Sequence, residues 1–327
     1  MFHHLANIVK DENMNPNTFD PELDISDSDF TDMFLLTMDI QDDIHEVIKV
    51  ESALNNYVEF YNIKLASTPE AMTSLEAFVD VASLEDFGSD IKDRLIELWE
   101  KFIDFVKEKF RTIYNFFKTL KTKILLKLAK PLTPLKLDVN KTDTLKFNLV
   151  THKQLNNVIN ELSQNILDLN QMIEIAGEII YSKFGSNTFV GVIKKLDIST
   201  KEAKLATTKK LIDDTKPTEL TFVEAGYGNR DDLALSTSES FHEKISKPID
   251  NLLKTLDEFD KFIKDLDMKA VTITDKKLYK AYKEDLQKKN LAIMQVLKFA
   301  GQITPQVTKI SKWLHELSYA LGKLKKI

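Results

Sequence analysis

The side chains able to do chemistry in this sequence are scattered. Its six histidines are His3, His4, His45, His152, His242 and His315, and no two stand one helical turn apart, the spacing that sets two imidazoles on one helix face around zinc. There is no cysteine, which removes disulfides, thiolate metal sites and thiol nucleophiles together without naming a compartment. The segment Phe222-Val223-Glu224-Ala225-Gly226-Tyr227-Gly228-Asn229-Arg230 has two glycines. It lacks both the Lys-Ser/Thr ending of a phosphate loop and the third glycine of a dinucleotide fingerprint, so it reads as a turn. The adjacent acids Asp42-Asp43, Asp213-Asp214 and Asp231-Asp232 are of the type used in acid–base catalysis, but no spacing sets a pair across a cleft. The expectation is a protein with no catalytic, cofactor-binding or metal site.

The elements that carry these residues read as mainly α: an elongated antiparallel helical bundle with a small irregular or β insert. With eight Gly and eight Pro in 327 residues and 43% hydrophobic content, the chain favours long helices around a sizeable core. Residues 11–33, rich in Asp, Asn, Ser and Pro, read as a flexible arm. A helix over 42–65 follows, on Ile44, Val47, Ile48, Leu54, Val58 and Tyr61. A long helix over 89–129 starts at Ser89 as N-cap, with Ile91, Leu95, Leu98, Phe102 and Phe105 alternating by four and three. The seam then shifts by one residue to Val106, Phe110, Ile113, Phe117, Leu120 and Ile124, while Trp99, Ile103, Tyr114 and Phe116 widen the face. Leu95, Leu98, Trp99, Phe102, Phe105, Phe110 and Phe117 make this the candidate packing or partner-docking helix.

Further on, the alternation of Leu135, Leu137 and Val139, then Leu145, Phe147 and Leu149, around Asn140-Lys141-Thr142-Asp143 predicts a β-hairpin. A central helix over 152–184 carries Leu155, Val158, Leu162, Ile166, Leu169, Ile173, Ala176 and Ile180. A mixed insert over 185–240 follows, with strands near 188–196 and 219–224. Three helices close the chain, over 241–266, 275–300 and 305–324, the last with Ile310, Leu314, Leu317, Leu321 and Leu324 in strict four-three spacing.

Charge divides the chain in two. Residues 1–85 hold 18 acids against 3 lysines, a balance of −15, whereas 86–327 hold 33 acids against 42 bases, a balance of +9. The reading is an acidic N-terminal arm over 1–85, with one helix, ahead of a basic helical body over 86–327. A basic body is drawn to polyanions, and an acidic segment beside it acts as a shield. With no zinc finger, RNA-recognition signature or Gly-Arg tract, any DNA contact is expected to be weak, sequence-independent and salt-sensitive. Glu97, Glu100, Asp104 and Glu108 interrupt the cationic side of the aromatic helix, which argues against a membrane surface. The first ten residues lack the basic start and apolar run of a signal peptide, and the expectation is an internal, soluble product.

At the charge boundary stand two copies of one tripeptide, each followed at the second position by Phe: Ser74-Leu75-Glu76 before Ala77-Phe78, and Ser83-Leu84-Glu85 before Asp86-Phe87-Gly88. They resemble the small-residue, any-residue, Glu sites cut by the head-maturation proteases of giant phiKZ-like tailed phages. The inner-head substrates of those proteases carry acidic or flexible propeptides ahead of amphipathic bodies. The resemblance covers this junction and the general layout. Ala176-Gly177-Glu178 also fits the pattern but falls inside a predicted helix, and a protease cleft needs an extended segment.

The resemblance implies a non-enzymatic structural protein of the head interior, assembled in the host cytoplasm. It would be cut after Glu85, with Glu76 an earlier or redundant site, and its partners would be the prohead protease, other head proteins and packaged DNA. Two rivals are an uncut helical interaction or scaffold protein, and a membrane-active protein using the aromatic helix.

Overall fold

Among the described residues, seven α-helices and one two-stranded sheet form where Leu, Ile, Lys and Glu run with few interrupting glycines and prolines. The computed structural model describes residues 27–66, 87–125, 137–181, 198–228, 231–264 and 276–324. Helix α1 spans Asp27–Ala66, and α2 spans Phe87–Thr119 and passes into a π-helical turn, Leu120–Leu125. Then come α3 (Val139–Thr144), β1 (Lys146–Leu149), α4 (His152–Tyr181), α5 (Ile198–Asp214), β2 (Thr218–Thr221), α6 (Asp231–Lys264) and α7 (Lys276–Leu324). The expected mainly α class is what the chain forms.

Helix α4 is the hub, packed against α6, α7 and α5. Its start is capped reciprocally: the Thr151 hydroxyl donates to Gln154 Oε1 at 2.6 Å, and the Gln154 N–H donates to Thr151 Oγ1 at 3.4 Å. All eight of its predicted seam residues, Leu155 through Ile180, are buried. The seam from Ile310 to Leu324 in α7 is buried as fully. Each Val, Leu or Ile among them contributes roughly 1.5–3 kcal/mol by leaving water, so these two helices anchor the rest.

Four expectations are corrected. Residues 27–33 are not an arm but the opening turns of α1, with Phe30 and Met33 buried; residues 11–26 lie outside those described. Asp27 and Asp29 in the first turn suit the helix dipole. The inner face then runs Phe30, Met33, Thr37, Ile40, Ile44 and Val47 in unbroken three-four spacing. Thr37 fits this apolar face because its hydroxyl bonds back to the Met33 carbonyl at 2.9 Å.

The second correction concerns the hairpin. Asp138 caps a helix by accepting from the Asn140 N–H at 3.1 Å, so 139–144 coils where a turn was expected. Strand β1 forms and pairs antiparallel with β2, with Phe147 opposite Leu220. The expected strand over 219–224 is real only to Thr221. There the Thr221 N–H donates to Glu224 Oε2 at 2.8 Å and the Glu224 N–H donates back to Thr221 Oγ1, starting the turn that the two glycines complete at φ 84° and 65°. The strand expected near 188–196 lies outside the described residues.

Third, the insert contains a helix that was not expected, α5. Its buried positions are Lys201, Leu205, Thr208 and Ile212, two of them polar. Lys201 reaches Asp168 at 3.2 Å and Gln171 at 2.7 Å on α4, so the lysine is held by hydrogen bonds inside the packing. Helix α6 also starts at Asp231, ten residues before the expected 241.

Fourth, Pro305 does not open a new helix: α7 continues through it as one helix of 49 residues. Proline removes the N–H that would bond the carbonyl four residues back. In α7 that carbonyl belongs to Gly301, and Gln41 Nε2 of α1 donates to it at 2.7 Å. Helix α6 contains Pro248, and there Ser163 Oγ of α4 donates to the stranded Lys244 carbonyl at 2.8 Å. Two helices thus run through a proline because a neighbour supplies the missing donor.

Candidate functional site

The charged contact that ties the acidic helix to the body is that of α1 with α2 and the π-helical turn after it, close to the Gly301–Pro305 notch of α7. On α2, the three-four seam of Phe102, Val106, Ile113, Phe116 and Leu120 has a lysine in register, Lys109. Its side chain is 2% exposed, with Nζ 3.0 Å from Asp43 Oδ1, paired also with Glu46 and 3.4 Å from Glu108. Nζ lies 5.2 Å from the centre of the Phe105 ring as well. Burial alone lowers a lysine, but the bonds to Glu46 and Asp43 reverse this and hold Lys109 above the ordinary lysine range. Burial likewise pushes the Asp43 carboxyl up, against the pull of Lys109. Four turns on, Lys123 pairs with Asp32 and lies 3.5 Å from Asp29, and the Asp32 contact leads in raising it. Four carboxylates of α1 therefore sit on two lysines, Lys109 of α2 and Lys123 of the π-helical turn that follows it.

At the notch, Gly301 leaves room for the side chains of α1. A Cβ built there would lie 2.9 Å from Ile44 Cδ1 and 3.1 Å from Gln41 Nε2, so any larger residue makes the ends of these two α1 side chains shift. Nearer the start of α1, Phe30 packs against the His315 ring with centroids 5.9 Å apart. Burial lowers the His315 imidazole below its ordinary value, Glu316 and Asp27 pull it back, and Lys312 lowers it further.

On the far side, α2 and α6 enclose a groove of about 620 Å³. Phe110 and Phe259 meet across it with ring centres 4.6 Å apart and planes tilted by 38°, and Arg111, Lys118, Asp257 and Asp260 rim it. Lys118 lies over the Tyr114 ring at 5.6 Å, and burial, then Asp257, raises the Tyr114 hydroxyl. The rim mixes basic and acidic side chains.

Of the residues expected to matter, Phe102, Phe110 and Phe117 are buried by the chain's own helices, and Phe105 is half-buried. Leu95, Leu98 and Trp99 belong to α2, which begins at Phe87, two residues before the expected cap. Ser74, Leu75, Glu76, Ser83, Leu84 and Glu85 lie outside the described residues. Glu178 is exposed but inside α4, as its predicted helix required.

Sequence reasoning missed Lys109, Gln41 and Gly301. For Lys109 the available signal was its register with Val106 and Ile113. A Gly-x-x-x-Pro pair inside a helical run was the signal for the notch.

Among the described residues no group of three or more His, Asp or Glu is placed to hold a metal, and no helix is long and apolar enough to cross a membrane. No protein-family model matches the sequence, and neither a curated protein nor a solved structure does.

Proposed function

We propose that this chain is a non-enzymatic structural protein of the interior of a large tailed-phage head, made as a precursor and cut by the prohead protease after Ser83-Leu84-Glu85, with Ser74-Leu75-Glu76 an earlier or redundant site. The observation that carries the reading is the pairing of Asp29, Asp32, Asp43 and Glu46 of α1 with Lys109 of α2 and Lys123 of the turn that follows it. An acidic segment ahead of the two Ser-Leu-Glu copies thereby covers a basic segment behind them. Arg111 and Lys118 stay exposed on α2 and supply weak, salt-sensitive contact with packaged DNA. Other head proteins are the remaining partners.

The test is the intact mass and N-terminal residue of the protein taken from its native particle. A chain starting at Asp86 or Ala77 supports the proposal, and Met1 as the sole N-terminus defeats it.

A second reading, an uncut helical interaction protein, is favoured by the outward side of α1, where Phe34, Leu35 and Met38 are 57, 54 and 45% exposed. A stable complex containing the uncut chain, lost on replacing these three by polar residues, would select it.

A further inference from the structure

The acidic segment of a precursor is ordinarily pictured as leaving once the chain is cut. The seam of α1 with α7 and α2 has the build of a permanent contact. We infer that cutting between Ala66 and Phe87 does not release α1: residues 27–66 remain on the body as a noncovalently bound helix, and the processed protein is a two-piece assembly. The inference takes its setting from the cleavage reading, but its physical basis lies wholly in described residues.

Three features carry it. The inner face of α1 is apolar over five turns, with Phe30, Met33, Ile40 and Val47 buried, and a cut beyond Ala66 removes none of these contacts. Gln41 supplies the donor for the Gly301 carbonyl that Pro305 strands, so departure of α1 would leave α7 with a carbonyl lacking its bond in the groove that α1 fills. Lys109 is buried against Asp43 and Glu46, and loss of α1 would strip both carboxylates from it at once. Each feature makes departure unfavourable for the body as well as for the helix.

A consequence for charge follows. The change from −6 for the whole chain to +9 for residues 86–327 is realised only when the acidic part dissociates, so cutting alone leaves Lys109 and Lys123 covered and gives no gain in polyanion binding. A second event, such as high salt or loss of α1 by pulling or digestion, would be needed to unmask them.

The experiment uses the full chain with the recognition sequence of a site-specific protease placed within 67–86. After complete cutting, both fragments are expected in one size-exclusion peak in native buffer, separating only in denaturant. An N-terminal fragment that elutes alone in native buffer overturns the inference. In the cut protein, Gln41→Leu is expected to speed release of that fragment about tenfold, the equivalent of one hydrogen bond; an unchanged release rate would overturn the role of the notch. The cleavage reading fails separately: a native protein starting only at Met1 sinks it while leaving this result intact.

Discussion

Helices α6 and α7 meet the same problem in different settings. Each runs through a proline, at 248 and 305, and each has its stranded carbonyl bonded by a side chain from another helix, Ser163 for the first and Gln41 for the second. At Pro248 the donor comes from the hub helix α4 and sits in a half-exposed position where water can replace it. Nearby Lys244 Nζ also reaches Asn160 Oδ1 at 2.5 Å, a second tie between the same two helices. At Pro305 the donor comes from the acidic helix, and it reaches in over Gly301, where a Cβ would press on Ile44 and on Gln41 itself. The difference shows that α1 is required by the helix it covers. A mere acidic counterweight would need only the ion pairs to α2.

The strongest way to break this comparison is at the charged side of α1. Lys109→Ala would leave Asp43 nearly buried without its cation and is expected to cost about 3 kcal/mol in urea unfolding; a loss under 1 kcal/mol would mean the ion pairs matter little. Gly301→Leu is expected to cost about 2 kcal/mol by forcing Ile44 and Gln41 away, and it should expose α1 to proteolysis while α4 stays protected.

Gln41→Leu is expected to cost about 1–2 kcal/mol, with a sharper corollary. In a Pro305→Ala background residue 305 regains its N–H, so the Gly301 carbonyl has a helical donor and the Gln41→Leu penalty should largely vanish. An equal penalty in both backgrounds would contradict the proposed role of the bond. Ser163→Ala, with water at hand, should cost only about 0.5–1 kcal/mol, and a penalty above that of Gln41→Leu would reverse the comparison.

The smallest effect is expected from pH. Because burial holds His315 below its ordinary value near 6.5, the unfolded chain takes up a proton at a pH where the folded chain does not. That contribution to stability is fully present above about pH 6.5 and falls as pH drops through the folded value. The difference in urea midpoint between the wild type and His315→Gln, followed from pH 7.5 to 5.5, should shift against the wild type on acidification; a flat difference would show that the ring is not held neutral beside Phe30.

How much was legible follows from what occupies the inner positions. The seams of α4 and of the end of α7 contain only aliphatic residues at three-four spacing, so sequence alone marks them. The start of α1 has Thr37 in its seam and α5 has Lys201 and Thr208. There the polar member is satisfied by the Met33 carbonyl, by Asp168 and Gln171, or by the Lys204 carbonyl at 3.1 Å, partners that a periodicity count does not weigh. The misread hairpin has a similar cause. Alternation around Asn140-Lys141-Thr142-Asp143 suits a turn, but Asp138 is a helix cap, and β1 finds its partner some 70 residues later in β2. The site was legible in charge and not in geometry: the acidic and basic blocks can be counted, whereas the meeting of Gln41 with Gly301 joins residues 260 positions apart.

The central claim is that residues 30–47 are a folded, docked part of the molecule. Amide hydrogen exchange on the intact chain tests it most directly. The account predicts protection across 30–47 that approaches that of α4 and falls in Gly301→Leu. Exchange of 30–47 at the rate of an unstructured acidic arm, with α4 fully protected, would contradict it.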